Sequence, residues 1–197
     1  MSRLILASGS QARAQVLRGA GVAFAVEVPD VDEEAVKTRL LAQGEGPRGI
    51  AQALAEEKAL AVSRSRPGLV VGADQTLEFE GLLHDKVADL PAARARLAQL
   101  RGKPHMLHAA VVAAEAGEPV WRECVSATLI MRDFSDAFLD DYLAAEGQAA
   151  LGSVGCYRLE GPGAQLFSSI DGDYFAILGL PLLGLLDLLR RRGVLRQ

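Results

Sequence analysis

Ser8, Arg13, Lys58 and Lys86 supply hydrogen-bond donors or positive charge, and Asp74 and Glu33 supply carboxylates. Together they are the residue types that manage phosphate. Basic groups neutralise a polyphosphate, while carboxylates hold a divalent cation or take a proton from water. Such a set suits hydrolysis of a phosphoanhydride, where positioning and charge stabilisation supply most of the rate.

Each of these positions also has a plainer reading. Leu4–Ala7 is an apolar run that predicts a buried strand, Ser8-Gly9-Ser10 a small polar turn, and Arg13 falls in the first turns of the helix that follows. Strand, Ser/Gly turn and helix with an early arginine is an arrangement that binds phosphate through backbone N–H groups, the helix N-terminus and a guanidinium fork. It is equally an ordinary turn with an N-capping serine. Asp74 follows LVVGA, at the expected carboxyl end of a buried strand, which is where ligands sit in open α/β sheets. Its plain alternative is a turn or capping aspartate. Lys58, inside ALAEEKA, reads alone as a solvated helix lysine, and Lys86, inside HDKV, as a surface lysine. The acidic run Asp30–Glu34 is a solvated loop or a helix start, or else places Glu33 to help hold Mg²⁺. His105 and His108 are three apart on a predicted strand and point to opposite faces, which disfavours zinc. No Walker A sequence, GxGxxG or GxSxG is present.

The elements that must carry these groups alternate. Strands are predicted at 4–7, 24–28, 69–73 with an extension through 77–79, 105–114, 120–132, 152–159 and 164–170. Helices are predicted at 11–20, 49–65, 91–101 and 136–145, the last capped by Ser135, with a turn and apolar helix from Ile177 to Leu189. Glu80-Gly81 reads as one hairpin tip and Glu115–Pro119 as another. A hairpin inside a βα alternation implies a mixed α/β sheet, not an all-parallel one.

With 197 residues and half of them apolar, the chain is expected to form one domain, over 1–197, with a large core. A net charge of −4 argues against broad nucleic-acid binding. The short apolar start predicts no signal peptide, and the apolar 177–189 stretch, interrupted by Pro181, Gly184 and Asp187, is too short to span a membrane. Cys124 and Cys156 have no metal-like spacing and fit buried free thiols in a reducing cytoplasm. Arg190-Arg191-Arg192 reads as favourable charge at a helix C-terminus.

Taken in order, LILASGSQARAQVL, ALAEEKA, VVGADQTLEFEG with Lys86 beyond it, LRGKPH, and GCYRLEGPGAQLF…IDGDYFAILGLPL resemble the Maf family of nucleoside triphosphate pyrophosphatases across residues 4 to about 190. The resemblance implies a mixed twisted sheet with flanking helices, in an elongated, two-lobed molecule with a central cleft, like the inosine triphosphatases. It also implies cleavage of the α–β phosphoanhydride with release of pyrophosphate, a divalent metal (Mg²⁺ or Mn²⁺), and commonly a homodimer. Carried over by residue, Asp74 matches the proton acceptor, Ser8 and Arg13 the phosphate-binding motif, and Glu33, Lys58 and Lys86 the acidic and lysine positions of the cleft, with Glu33 and Asp74 as metal ligands.

Ala12, Gln75 and Glu160 stand at positions that separate subgroups of that family. Asp74-Gln75 and Glu160-Gly161 resemble the subgroup acting on 7-methyl-GTP rather than the one preferring dTTP and UTP. A buried carboxylate at Glu160 would accept from the N1–H and amine of guanine. Ala12 stands where an aromatic or arginine is usual, Val87 where proline is, and Ala109-Ala110 where Thr-Gly is common; the catalytic set is intact. Two other classes are a nucleotide-binding regulator of division with little turnover and an unrelated phosphatase releasing orthophosphate.

Overall fold

The computed structural model describes residues 4–196. A seven-stranded mixed sheet has the order β2-β1-β3-β5-β6-β7, with β4 paired to β3 off this path. The strands are β1 (Leu4–Ala7), β2 (Ala25–Glu27), β3 (Leu69–Phe79), β4 (Leu82–His84), β5 (Pro104–Glu115), β6 (Glu118–Met131) and β7 (Phe167–Asp171). The helices are α1 (Gln11–Gly19), α2 (Glu33–Ala42), α3 (Pro47–Ser63), α4 (Leu90–Leu100), α5 (Asp136–Glu146), α6 (Tyr174–Ile177) and α7 (Leu182–Arg191). β1 runs parallel to both β2 and β3, while the β3, β5, β6 and β7 pairings are antiparallel.

This is the mixed α/β sheet that the sequence predicts, and its hairpins are tight. Glu80-Gly81 and Ala116-Gly117 each put two successive residues at positive φ, the twist that matches a two-residue hairpin. The second turn is therefore shorter than the 115–119 stretch expected. Ser135 caps α5 as predicted, accepting from the Phe138 N–H. Two strand expectations fail. The segment 152–159 is not a strand but a turn following a 3-10 stretch, closed by the Ser153 hydroxyl bonding to both N–H and C=O of Tyr157. Residues 162–166 form a 3-10 turn, so that strand begins only at Phe167. The acidic run read as a loop or a helix start does open α2, capped by Asp32, but the length of α2 and the short α6 have no counterpart in the sequence reading, because neither carries an apolar stripe of useful length.

Two apolar cores divide the molecule. In one, Leu4, Leu6, Leu69, Val71, Ala73, Val111 and Ala113 pack against α1 and the leucines of α7. In the other, Leu77, Phe79, Leu107, Ala127 and Leu129 pack against α4 and α5. β3 runs through both, and the change of core falls at Gln75. On the opposite face of the sheet, α3 lies directly on the strands through small side chains, Ala51, Ala55 and Ala59 against Ala110, Val112 and Ala114. No helix among the described residues is long and apolar enough to cross a membrane. Cys156 is buried and Cys124 only partly so, both as free thiols, which corrects the expectation for Cys124. Arg190 and Arg191 do lie in the last turn of α7.

Gly72 marks the closest approach of α3 to β3. A Cβ there would meet the Ala55 carbonyl oxygen and lie 2.5 Å from the Ala59 nitrogen, both backbone atoms that cannot swing aside. Gly72→Ala is expected to destabilise the fold by about 1–3 kcal/mol or more, the cost of overpacking. Urea unfolding of the two proteins measures it; equal midpoints would show that the seat of α3 is loose.

Candidate active site

A cleft of about 900 Å³ opens between the two cores. Its position follows from the sheet. β1 ends at Ala7, opposite Gly72, and β4 joins the same flank of β3 only from Leu77, so between Ala73 and Thr76 that flank has no strand beside it. Asp74 is therefore not at the carboxyl end of its own strand, as expected, but in the middle of β3; it is the end of β1 that opens the cleft beside it. The turn Ser8–Ser10 occupies that end. Arg13 reaches back from α1 and donates from Nη1 to the Ala73 carbonyl at 2.9 Å and to Ser8 Oγ at 3.2 Å, and from Nε to the Gly179 carbonyl at 2.8 Å. It braces three segments at once, leaving Nη2 outside these bonds. Burial lowers its pKa, which the charges of Asp74 and Glu33 counter.

Alternation along β3 sends Asp74 toward α3 and Gln75 to the other face. On α3 the buried stripe is Ile50, Ala51, Leu54, Ala55, Lys58, Ala59 and Val62. Lys58 thus belongs to the packed face, 6% exposed, and is not the solvated lysine that its sequence context suggests. Its Nζ donates to Asp74 Oδ1 at 2.6 Å and lies 2.8 Å from Glu33 Oε1. One ammonium thus gathers both predicted acids. Glu33 arrives on the first turn of α2, where its charge also suits the helix N-terminus.

The remaining predicted residues line the same cleft at different depths. Lys86 is exposed on the loop after β4 and makes no hydrogen bond or ion pair among the described residues. Gln75 is half-buried, and its Nε2 donates to the carbonyls of Ala176 and Ile177 at 2.9 and 3.0 Å, which leaves Oε1 as its acceptor. Ala12 and Glu160 sit where the cleft meets a shallower apolar groove lined by Val16, Phe175, Leu182 and Leu186. Glu160 is exposed, which corrects the expectation of a buried carboxylate: it lies in the irregular segment that replaces the predicted strand.

Sequence reasoning missed Lys37, Asp85, Tyr157 and Arg158, all of which line the cleft. Lys37 is buried and bonds Asp85 and Glu34. No periodicity on α2 could have flagged it. Arg158 is paired with the buried Glu146 at 2.7 Å. The histidines have unrelated partners, as opposite faces of a strand require: His108 meets Glu78 and Ser126, and His105 meets Tyr157.

Glu33 and Asp74 each give one oxygen to Lys58 Nζ, and their remaining oxygens make a partial cation site beside it. Among the described residues no group of three or more His, Cys, Asp or Glu side chains could hold a metal by itself. Glu33 and Asp74 fit an ion that completes its shell with substrate phosphate oxygens and water, the usual habit of Mg²⁺.

Residues 3–192 match the family model described as Maf-like protein. A protein of Caulobacter vibrioides named nucleoside triphosphate pyrophosphatase is 57% identical over 195 residues, 99% of this chain and 98% of that protein. One of Paramagnetospirillum magneticum with the same name is 53% identical over 97% of this chain and 99% of its own length. One of Brucella abortus named 7-methyl-GTP pyrophosphatase is 47% identical over 96% of both chains.

The wall of the cleft at Tyr157 depends on a histidine that must stay neutral. Burial lowers the His105 pKa from 6.5 to about 4. The unfolded chain therefore takes up a proton that the folded one refuses. The stability this residue contributes is complete above pH 6.5 and is lost as pH falls toward 4, on the order of 3 kcal/mol at about 1.4 kcal/mol per unit. His105→Gln should flatten the loss between pH 7.5 and 4.5 in urea titrations; an unchanged slope would assign the acid sensitivity elsewhere.

Proposed function

This chain belongs to the Maf family, and from that membership we propose that its cleft hydrolyses nucleoside triphosphates to the monophosphate and pyrophosphate. The observation that carries the reading is the convergence of Asp74 and Glu33 on Lys58, beside the Ser8–Arg13 turn and in one cleft with a cation, Lys86, that has no hydrogen-bond or ion-pair partner among the described residues. Every other cationic group lining the cleft is engaged by carboxylates or carbonyls of the protein itself.

The chemistry follows from the positions. The Ser8–Ser10 backbone, the N-terminus of α1 and the free Nη2 of Arg13 receive phosphate oxygens. Asp74 orients a water and accepts its proton as oxygen attacks the α-phosphorus; Lys58 fixes the carboxylate so that a defined oxygen faces the water. Lys86 neutralises charge that gathers on the departing pyrophosphate. Family membership implies a divalent-metal requirement; when bound, Mg²⁺ or Mn²⁺ would be held by Glu33 and Asp74 and would neutralise the triphosphate. The same reading carries with it a cytoplasmic location, a homodimer and free nucleotides, not nucleic acid, as the substrate.

For the base, we favour 7-methyl-GTP. Gln75, with its amide nitrogen engaged, offers an oxygen to the cleft, and Glu160 offers a carboxylate. Two acceptors complement the donor edge of guanine, and the carboxylate favours a ring made cationic by N7 methylation. The relatives named 7-methyl-GTP pyrophosphatase support this assignment. Because Glu160 is exposed, a mismatch there is partly solvated, and its cost sits at the low end, about 1 kcal/mol.

Anion analysis of the products tests the activity: pyrophosphate is expected, and orthophosphate with a nucleoside diphosphate would overturn it. Asp74→Asn should lower kcat on the order of a hundred- to ten-thousand-fold with the fold intact; a variant keeping half the wild-type rate would remove Asp74 from the mechanism. For specificity, kcat/KM should favour 7-methyl-GTP over dTTP and UTP by roughly fivefold or more, and Glu160→Gln should narrow that ratio. A tenfold preference for dTTP or UTP would overturn the base assignment and leave the pyrophosphatase standing.

A further inference from the structure

The helix α2 buries a single residue, and that residue is a lysine. A helix without an apolar face must be held by something else, and here it is held by charge. Glu33, on its first turn, meets Lys58 of α3. One turn later Lys37 Nζ donates to Asp85 Oδ1 at 2.8 Å and to Glu34. Arg39 lies 3.8 Å from Glu57 on the outer side of α3. The helix thus spans from the wall that holds the acids to the loop after β4.

That loop carries Lys86. Asp85, its neighbour, is clamped twice: its side chain by Lys37, and its carbonyl by Arg96 Nη1 at 3.1 Å, which at the same time donates to the Val154 carbonyl at 3.1 Å. Lys86 itself is exposed and makes no hydrogen bond or ion pair among the described residues. A lysine carries several rotatable bonds, so its placement depends on the backbone beneath it. The backbone on its amino side is fixed from α2 and from α4.

We propose that Lys37, through Asp85, is the positioning residue that sets the Lys86 loop opposite the Glu33–Lys58–Asp74 bridge. This rests on the reading of Lys86 as a group that acts on the triphosphate. Burial works against the Lys37 ammonium, but Asp85 and Glu34 more than offset it and hold its pKa above the ordinary lysine range, so the latch is charged wherever the enzyme works. Helix α2 thereby couples the two sides of the cleft: Glu33 and Lys37, four residues apart, lie on the same face, one gripping each wall.

The test is a double-mutant cycle on the full chain with Lys37→Met and Lys86→Ala, read as pyrophosphate release, together with hydrogen exchange of residues 84–88. Lys37→Met is expected to lower kcat about tenfold, the scale of a small misplacement, with KM changed less than threefold. It should have less than a twofold further effect once Lys86 is alanine. Exchange in the loop should rise in Lys37→Met and return in Lys37→Arg, which keeps the charge. Asp85→Asn is the second route, and should copy Lys37→Met if that variant fails to fold. Additive losses would make Lys37 a direct phosphate contact and overturn the proposal, as would unchanged exchange in the loop. If the wild-type protein releases no pyrophosphate, the functional reading fails by itself, and the exchange result alone decides whether Lys37 holds the loop.

Discussion

The seat of α3 on β3 sets the geometry of the rest. A helix normally stands off a sheet at the distance its side chains impose. Here the facing residues are a glycine and a column of alanines, Gly72 against Ala55 and Ala59, with Ala51 further along. The helix drops onto the strand until backbone meets backbone. Only at that distance does the Lys58 side chain, on the same buried stripe, end within 2.6 Å of Asp74. Larger side chains at these positions would lift the helix and part the pair, so the packing of small residues is also the assembly of the site.

A second constraint is the length of β1. Four residues long, it covers β3 only as far as Gly72. Past that point a carbonyl of β3 needs another partner, and the Arg13 guanidinium provides it at Ala73. The end of a short strand beside a long one thus creates both a gap and the phosphate-like turn that fills its rim. The two apolar cores lie on either side of this gap, and Gln75 marks the junction by donating to the Ala176 and Ile177 carbonyls at the end of α6.

The charges of the cleft are mostly balanced before any substrate arrives. Lys58 is shared by two acids, Lys37 by two more, and Arg158 is engaged by a buried glutamate. Buried charge requires such pairing. A highly anionic substrate therefore meets a rigid frame of paired groups and, among the described residues, one lysine outside any pair, Lys86, rather than a cluster of loose cations that would have to reorganise around it. This is the condition under which fixed charge is most effective on a developing anion.

Much of this was legible in the sequence. The apolar run Leu4–Ala7, the 69–79 strand with its Glu-Gly hairpin, the two long strands and the capped helix at Ser135 all follow from local pattern, because burial on one or both faces leaves its period in the chain. The order of the motifs pointed to the family, and the phosphate-handling residue types to its chemistry. Tertiary structure decided the rest. Lys58 looks solvated in ALAEEKA, and only the glycine and alanines beneath it turn it inward. Asp74 looks like a strand end, yet it is a buried residue in the middle of β3, and only the length of a neighbouring strand opens the cleft beside it. Glu160 was expected inside, yet the segment around it is an irregular turn that leaves it in solvent. Lys37 left no mark, and α2 showed only in the acidic run that opens it, since a helix held by ion pairs to distant residues has no period to read. Local pattern records which face of a segment is buried; which charges meet across the fold is recorded only in the packing that brings them together.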